Sequence, residues 1–106
     1  MRQHTSKEQT QHLIELGFEN PQPSFYQNGA SWIMCDGNYS IGELLSFLEK
    51  YVDDPSEELL VWKDTVFWYV RLSSDTLGAG YDEELINALY KYIVELKEDE
   101  QNYGND

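Results

Sequence analysis

The sequence predicts an α+β domain in which a small antiparallel sheet of three to four strands is packed by three helices. The predicted order of elements is α-β-β-α-β-β-α. Three kinds of observation predict it: helix starts marked by capping residues, apolar residues at helical spacing, and paired apolar runs separated by turn residues. With 106 residues, the chain has the length of one domain with a single core.

The first helix is predicted in the segment "TSKEQTQHLIELGF". In a capping box, a hydroxyl residue and a Glu or Gln three residues later bond each other's backbone N–H groups. Two overlapping pairs fit this pattern: Thr5 with Glu8, and Ser6 with Gln9. Gly17 suits the left-handed position that follows a helix end, so we expect the helix to end just before it.

The first hairpin is predicted around Asn28-Gly29, a strong two-residue turn signal. The apolar residues 32–34 after the turn predict one short strand. The apolar residues 25–26 before it follow two prolines, and the count of strands rises from three to four if they also form a strand.

The second helix is predicted to begin at Ser40, because Ser40 and Glu43 fit a capping box. Tyr39 and Leu44 fit the hydrophobic staple that often flanks such a box. A stripe of apolar residues at helical spacing follows and predicts the buried side of this helix: Leu44, Leu45, Phe47, Leu48 and Tyr51.

The third helix is predicted in the segment "DEELINALYKYIVELK", with Asp82 as its N-cap, after a loop that contains two glycines. Residues 1–97 should form the single α+β domain. Three carboxylates then come at the negative end of the helix macrodipole, where they are unfavourable: Glu98, Asp99 and Glu100. We therefore expect residues 98–106 to form an acidic mobile tail.

The second hairpin is predicted in the segment "ELLVWKDTVFWYVRL", which carries apolar residues on both of its faces. A turn centred on Asp64-Thr65 pairs residues whose numbers add up to 129, which places Glu58 opposite Arg71 and Trp62 opposite Phe67. A four-residue loop over 63–66 closes the same register. In this register one face is predicted to lie in the core under the second and third helices: Val61, Trp68, Val70 and Leu72.

The opposite face of this hairpin is the candidate interaction surface. It carries four apolar residues and one cation: Leu60, Trp62, Phe67, Tyr69 and Arg71. A sheet in a small domain usually buries one face and exposes the other. Either the first helix or the segment 22–34 covers this surface, or the surface is exposed and marks a contact with a partner.

The composition limits the classes of partner. Seven Lys and Arg against twenty Asp and Glu give a formal net charge of −13, which disfavours direct binding to nucleic acid or to anionic membranes. The single cysteine excludes an intrachain disulfide. The N-terminal segment "MRQHTSKEQTQ" is polar and no apolar run is long enough to span a membrane, so we expect a cytoplasmic protein.

The sequence shows no pattern of a catalytic, metal or cofactor site. His4 and His12 have no cysteine pair beside them, and there is no phosphate-binding glycine motif. The carboxylates of "VDDPSEE" lack the alternating spacing of a calcium loop. The chain is therefore predicted to be non-enzymatic and to bind no cofactor. A small enzyme with an unrecognised carboxylate site stays open, and it would need a concave pocket with converging polar groups.

Three segments carry a resemblance to a known group of proteins: "KEQTQHLIELGFENP" at 7–21, "YSIGELLSFL" at 39–48 and "DEELINALYKYIVELKEDE" at 82–100. They resemble small acidic uncharacterised proteins of Bacteroidetes phages, prophages and mobile elements, and the Trp-rich hairpin lies in a corresponding place. The resemblance implies an accessory protein of phage or mobile-element type. It carries over no catalytic residue.

The leading functional hypothesis is a non-enzymatic accessory protein that acts by protein–protein interaction, with an unknown partner or by self-association. The alternative is an acidic inhibitor, either a nucleic-acid mimic or a toxin-neutralising protein. The inhibitor would need its carboxylates concentrated on one face, and its binding would have to weaken as salt is added.

Overall fold

A computed structural model describes residues 2–35, 37–75 and 79–103. It contains three helices and five strands in chain order: α1 (Lys7–Glu15), β1 (Ser24–Asn28), β2 (Ser31–Cys35), α2 (Ile41–Glu49), β3 (Leu59–Lys63), β4 (Trp68–Leu72), β5 (Gly80–Asp82) and α3 (Leu85–Tyr103). The predicted α+β class is confirmed. β5 is an addition, because the segment before the third helix was predicted to be only a loop.

The strands form two separate antiparallel sheets in the described part of the chain. β1 and β2 pair with each other, and β3, β4 and β5 form a three-stranded sheet in that order. Both predicted strands of the first hairpin are present, and Gly29 has the positive φ of 66° that its turn requires. They do not join the larger sheet, which is completed by β5.

The first helix begins with one of the two predicted capping boxes. The Ser6 hydroxyl accepts the Gln9 N–H, and the Gln9 side chain accepts the Ser6 N–H. At the other end Gly17 adopts φ 101°. Its N–H donates to Ile14, and the next N–H, of Phe18, donates to Leu13, which is the Schellman pattern. The predicted C-terminal glycine is therefore confirmed.

The second helix begins at the predicted capping box of Ser40 and Glu43. Tyr39, just before it, is fully buried and ties the N-terminal segment to this helix start. The Thr5 N–H donates to the Tyr39 carbonyl oxygen at 2.9 Å, and the Tyr39 N–H donates to the Thr5 hydroxyl at 3.0 Å. This pair fixes where α1 enters relative to α2.

The third helix begins at Leu85, so that its N-cap position is Glu84, two residues after the predicted Asp82. Hydrogen bonding starts at the Glu84 carbonyl, which accepts the Ala88 N–H at 3.1 Å. Asp82 ends β5 instead, although its carboxylate still accepts the Glu84 N–H at 3.0 Å. α3 continues through residues 98–103, and the mobility of 98–106 stays a prediction.

A single core joins all three helices to one face of the larger sheet. α3 is its centre and packs against α2, β4 and β5. Twelve buried apolar residues form the core: Leu13, Tyr39, Leu44, Phe47, Leu48, Val70, Leu72, Ile86, Ala88, Leu89, Tyr92 and Ile93. Because α3 lies on the inner face of β4 and β5, it leaves the outer face of that sheet for other contacts. Among the described residues, no helix is long and apolar enough to cross a membrane.

Candidate binding surface

The turn between β3 and β4 sets the register of the hairpin. The Asp64 carboxylate accepts the backbone N–H groups of Val66 and Phe67 at 2.8 and 2.6 Å, and the Asp64 N–H donates to the Phe67 carbonyl at 3.0 Å. An aspartate that accepts N–H groups two and three residues later stabilises a tight turn. The loop therefore occupies residues 64–67, one position later than the predicted 63–66.

This loop moves the register by two residues from the prediction. Paired residue numbers add up to 131, so that Leu60 lies opposite Arg71 and Trp62 lies opposite Tyr69. The predicted pairs of Glu58 with Arg71 and of Trp62 with Phe67 are wrong. Because side chains alternate with a period of two, a shift of two residues keeps each side chain on its predicted face.

The inner face of the sheet agrees with the predicted core face except at one position. Val70 and Leu72 of β4 are buried and Trp68 is half-buried. Val61, which was predicted to be a core residue, is exposed. The reason is topological: β3 is an edge strand, whereas α3 packs against β4 and β5.

The outer face carries three aromatic rings, one from each strand, which we call the aromatic ladder: Trp62 of β3, Tyr69 of β4 and Tyr81 of β5. The ring centroids of Trp62 and Tyr69 lie 5.2 Å apart with planes 11° from parallel, and those of Tyr69 and Tyr81 lie 6.1 Å apart at 28°. The ladder follows from pairing, because Trp62 and Tyr81 are both direct cross-strand neighbours of Tyr69.

The ladder is open to solvent at both ends. Trp62 is 41% exposed and Tyr81 is 55% exposed. The two segments expected as a cover lie elsewhere: Leu13 of α1 belongs to the core formed with the other helices, and β1 and β2 form their own sheet. In the described part of the chain, four large exposed aromatic and aliphatic side chains therefore lie on or beside this sheet: Val61, Trp62, Val66 and Tyr81.

The remaining predicted surface residues lie around the ladder. Phe67 is a loop residue and not a strand residue, and its ring meets Tyr81 edge-on at 5.8 Å. The Arg71 guanidinium lies 5.9 Å from the centroid of the Trp62 ring. Leu60 is half-buried opposite Arg71. The structure thus places all five predicted residues in one region.

A carboxylate lies at the rim of the ladder. The Tyr69 hydroxyl donates to Asp64 Oδ2 at 2.7 Å. The hydrogen bonds from the N–H groups of Phe67 and Val66 lower the pKa of Asp64 most, and the bond from the Tyr69 hydroxyl lowers it further. The bond between Tyr69 and Asp64 also raises the pKa of Tyr69. At neutral pH the rim therefore carries a negative charge and the phenol keeps its proton.

Sequence reasoning missed Tyr81, although it forms one end of the ladder. The segment that contains it was predicted as a loop, since three residues with a glycine give too short a run to show strand alternation. A second exposed aromatic residue lies away from the ladder: Trp32 of β2 is 68% exposed. It belongs to a stretch, 20–35, that contains no Asp, Glu, Lys or Arg.

The open end of the β3–β4 hairpin is closed by Glu57. Its carboxylate accepts hydrogen bonds from the hydroxyl of Ser73 at 2.7 Å and from the N–H of Ser74 at 2.9 Å, and also from the Ser74 hydroxyl. These bonds lower the pKa of Glu57 to about 2, and the two bonds from Ser74 have the largest effect.

The hydrogen bonds of the Glu57 carboxylate should make the stability of the fold depend on pH. A carboxyl whose pKa is lower in the folded chain stabilises it fully above the unfolded pKa, and that contribution disappears as the pH falls through the folded value. We expect Glu57→Gln to melt below the wild type at pH 6, and the difference to shrink as the pH falls from about 4.3 to 2. Thermal melts monitored by circular dichroism between pH 2 and 6 measure it. A difference that stays constant over this range would show that the ionised carboxylate contributes nothing.

A cleft of about 410 Å³ lies on another side of the molecule. Its described lining includes Lys50, Lys97 and Glu100 but no Ser, Thr, Cys or His. Lys97 pairs with Glu100 at 3.7 Å. The Tyr51 hydroxyl donates to the same carboxylate, and burial together with Glu100 raises the pKa of Tyr51 to about 12. The phenol is thus protonated at neutral pH and does not serve as a base.

No metal site is found in the described ranges, where no three His, Cys, Asp or Glu side chains are placed to hold an ion together. No protein-family model, no curated protein and no solved structure matches the chain.

Proposed function

We propose that this chain is a non-enzymatic binding protein whose contact surface is the outer face of the β3–β4–β5 sheet. The observation that carries the proposal is the aromatic ladder, which has exposed rings at both ends on a sheet whose other face is fixed by the core. Exposed aromatic clusters on a rigid support mark binding sites, because aromatic side chains bury a large area at a low cost in entropy.

The rigidity of the surface supports this function further. The inner face of β4 rests on α3 through buried Val70 and Leu72. On the outer face the Asp64 turn holds the hydroxyl of Tyr69. A surface that is ordered before binding loses less entropy when a partner arrives. Cytoplasmic location and origin from a phage or mobile element are part of the proposal, and the latter rests on sequence resemblance alone.

A capture experiment tests the proposal. The wild type and two variants are immobilised and exposed to lysate of the source organism, and retained proteins are quantified by mass spectrometry. The first variant combines Trp62→Leu with Tyr81→Thr, and the matched control is Trp32→Leu, which removes the most exposed tryptophan outside the ladder. Both variants leave the net charge unchanged.

We expect at least one protein to be retained by the wild type and by the control but reduced about tenfold or more by the ladder variant, since truncating two central aromatic contacts typically costs more than 1 kcal/mol each. Circular dichroism must show that both variants fold. If the two variants retain the same proteins in the same amounts as the wild type, the ladder is not the binding surface.

One observation favours the alternative of an acidic inhibitor. The chain has twenty Asp and Glu against seven Lys and Arg, and the ion pairs seen between described residues, Arg2–Glu84, Lys91–Asp82 and Lys97–Glu100, each use one of these few cations. Such an inhibitor would bind a basic groove through its carboxylates. The capture experiment separates the two functions, because a partner held by carboxylates alone would be retained by the ladder variant and released by salt.

A further inference from the structure

We propose that the partner lays a cationic segment across the aromatic ladder, with an Arg or Lys side chain placed on the exposed ring of Tyr81. This inference rests on the proposed function and names the chemistry of the partner. Three observations lead to it: the way cations and rings already pair within the chain, the charge at the rim of the ladder, and the net charge of the protein.

Several cations of the described residues lie over aromatic rings. Four of the seven Lys and Arg residues lie within 6 Å of a ring centroid: Lys50, Lys63, Arg71 and Lys97. One of these contacts, Arg71 on Trp62, belongs to the ladder itself. The π face of a ring attracts a cation electrostatically, so the ladder already shows the chemistry that we assign to the partner.

Arg71 is held at one end of the ladder. Its guanidinium donates to the carbonyl oxygens of Ser73 and Asp75 at 3.4 and 3.2 Å while it lies beside Trp62. The most exposed ring of the ladder, that of Tyr81, is at the opposite end, on β5, two strands away from Trp62 on β3. An incoming cation would therefore meet Tyr81 without displacing Arg71.

The charge on and around the ladder favours a cation over other occupants. Asp64 is ionised and is bound to the hydroxyl of Tyr69, the ring next to Tyr81 in the ladder. Lys91 donates to the Tyr81 carbonyl oxygen at 3.3 Å, but its charge is balanced by Asp82, with which it pairs at 2.8 Å. A second copy of the chain would bring another net charge of −13 to the contact and would be repelled. Anionic segments are disfavoured for the same reason, whereas a basic segment is attracted over a distance.

The test measures binding of two peptides of equal length by isothermal titration calorimetry at low salt. One is acetyl-(Gly-Arg)4-amide, and the other replaces each arginine by citrulline, which has nearly the same shape but no charge. They are titrated into the wild type, into Tyr81→Thr and into the control Trp32→Leu. Tyr81→Thr keeps a residue that suits a strand, and circular dichroism checks that each variant folds.

We expect the arginine peptide to bind the wild type at least about tenfold more tightly than the citrulline peptide. Tyr81→Thr should weaken the arginine peptide about two- to fivefold, which is the size of one exposed cation–π contact, and Trp32→Leu should leave its affinity unchanged. Tyr81→Leu is the second variant if Tyr81→Thr does not fold, and the same weakening is expected of it because it also removes the ring.

Two results would overturn the inference. Equal affinity of the two peptides would show that charge does not select the occupant. Equal affinity of the arginine peptide for Tyr81→Thr and for Trp32→Leu would show that cations bind the acidic surface in general. Neither result would contradict the proposed function, because the capture experiment tests the ladder without assuming the charge of the partner.

Discussion

Gly80→Ala should lower the free energy of unfolding by about 3 kcal/mol, because the new methyl group would meet the backbone of α3. A Cβ at this position would lie 2.3 Å from the Ala88 carbonyl oxygen, 2.7 Å from Tyr92 Cβ and 3.0 Å from Tyr92 N. None of these atoms is the end of a flexible side chain. Either β5 or α3 must move, and a move of β5 would also displace Tyr81 from the ladder.

Thermal unfolding measures this effect, and a decrease of the melting temperature by about 10–20 °C is expected for a domain of this size. Gly42→Ala is the matched control. In α2 the nearest atom to a Cβ at Gly42 is the Ser40 hydroxyl at 3.8 Å, and alanine is favoured over glycine in a helix by up to about 1 kcal/mol. The control should therefore melt at or above the wild-type temperature. If the melting temperature of Gly80→Ala equals that of the wild type, α3 and β5 are not in the close contact that these distances describe.

Tyr92→Phe should lower the free energy of unfolding by about 2 kcal/mol, because its hydroxyl makes two hydrogen bonds, one of them buried in the core. Tyr92 is fully buried, accepts the Leu72 N–H at 2.9 Å and donates to Asp75 Oδ2 at 2.8 Å. Burial and the contact with Asp75 raise the pKa of Tyr92, so that the hydroxyl keeps its proton. When phenylalanine removes the hydroxyl, the buried Leu72 N–H loses its acceptor.

Tyr51→Phe is the control for this prediction. The Tyr51 side chain is half-buried, but its hydroxyl donates to a carboxylate, Glu100, at the surface, where water can replace the partner, and the expected loss is below about 0.5 kcal/mol. Urea unfolding of the two variants compares them directly. Equal stability of Tyr92→Phe and the wild type would show that Leu72 does not depend on this phenol.

Local patterns in the sequence were sufficient to predict the helices and the faces of the second hairpin. The boxes of Ser6 with Gln9 and of Ser40 with Glu43 are complete within four residues, so no distant contact is needed to recognise them. The outer face was predicted correctly in spite of the wrong register, because a shift of two residues preserves the face.

The remaining features depend on contacts that no local pattern encodes. The register is set by the side chain of Asp64, which fixes the loop at 64–67. β5 exists because Gly80 allows its backbone to approach α3 closely, and the same approach places Tyr81 on the ladder. Val61 is exposed because α3 packs against β4 and β5 and leaves β3 at the uncovered edge of the sheet, which the alternation of apolar residues does not reveal.

The central claim is that partners bind at the aromatic ladder and not at the β1–β2 hairpin or on the inner side of the sheet. The three tryptophans report on these places separately: Trp62 on the ladder, Trp32 on the hairpin and Trp68 on the inner face. The most direct measurement adds a protein retained in the capture experiment to the ¹⁵N-labelled chain and follows the three indole N–H signals by NMR. The proposed function predicts that the Trp62 signal shifts or broadens while those of Trp32 and Trp68 stay in place. A perturbed Trp32 signal with an unchanged Trp62 signal would contradict it.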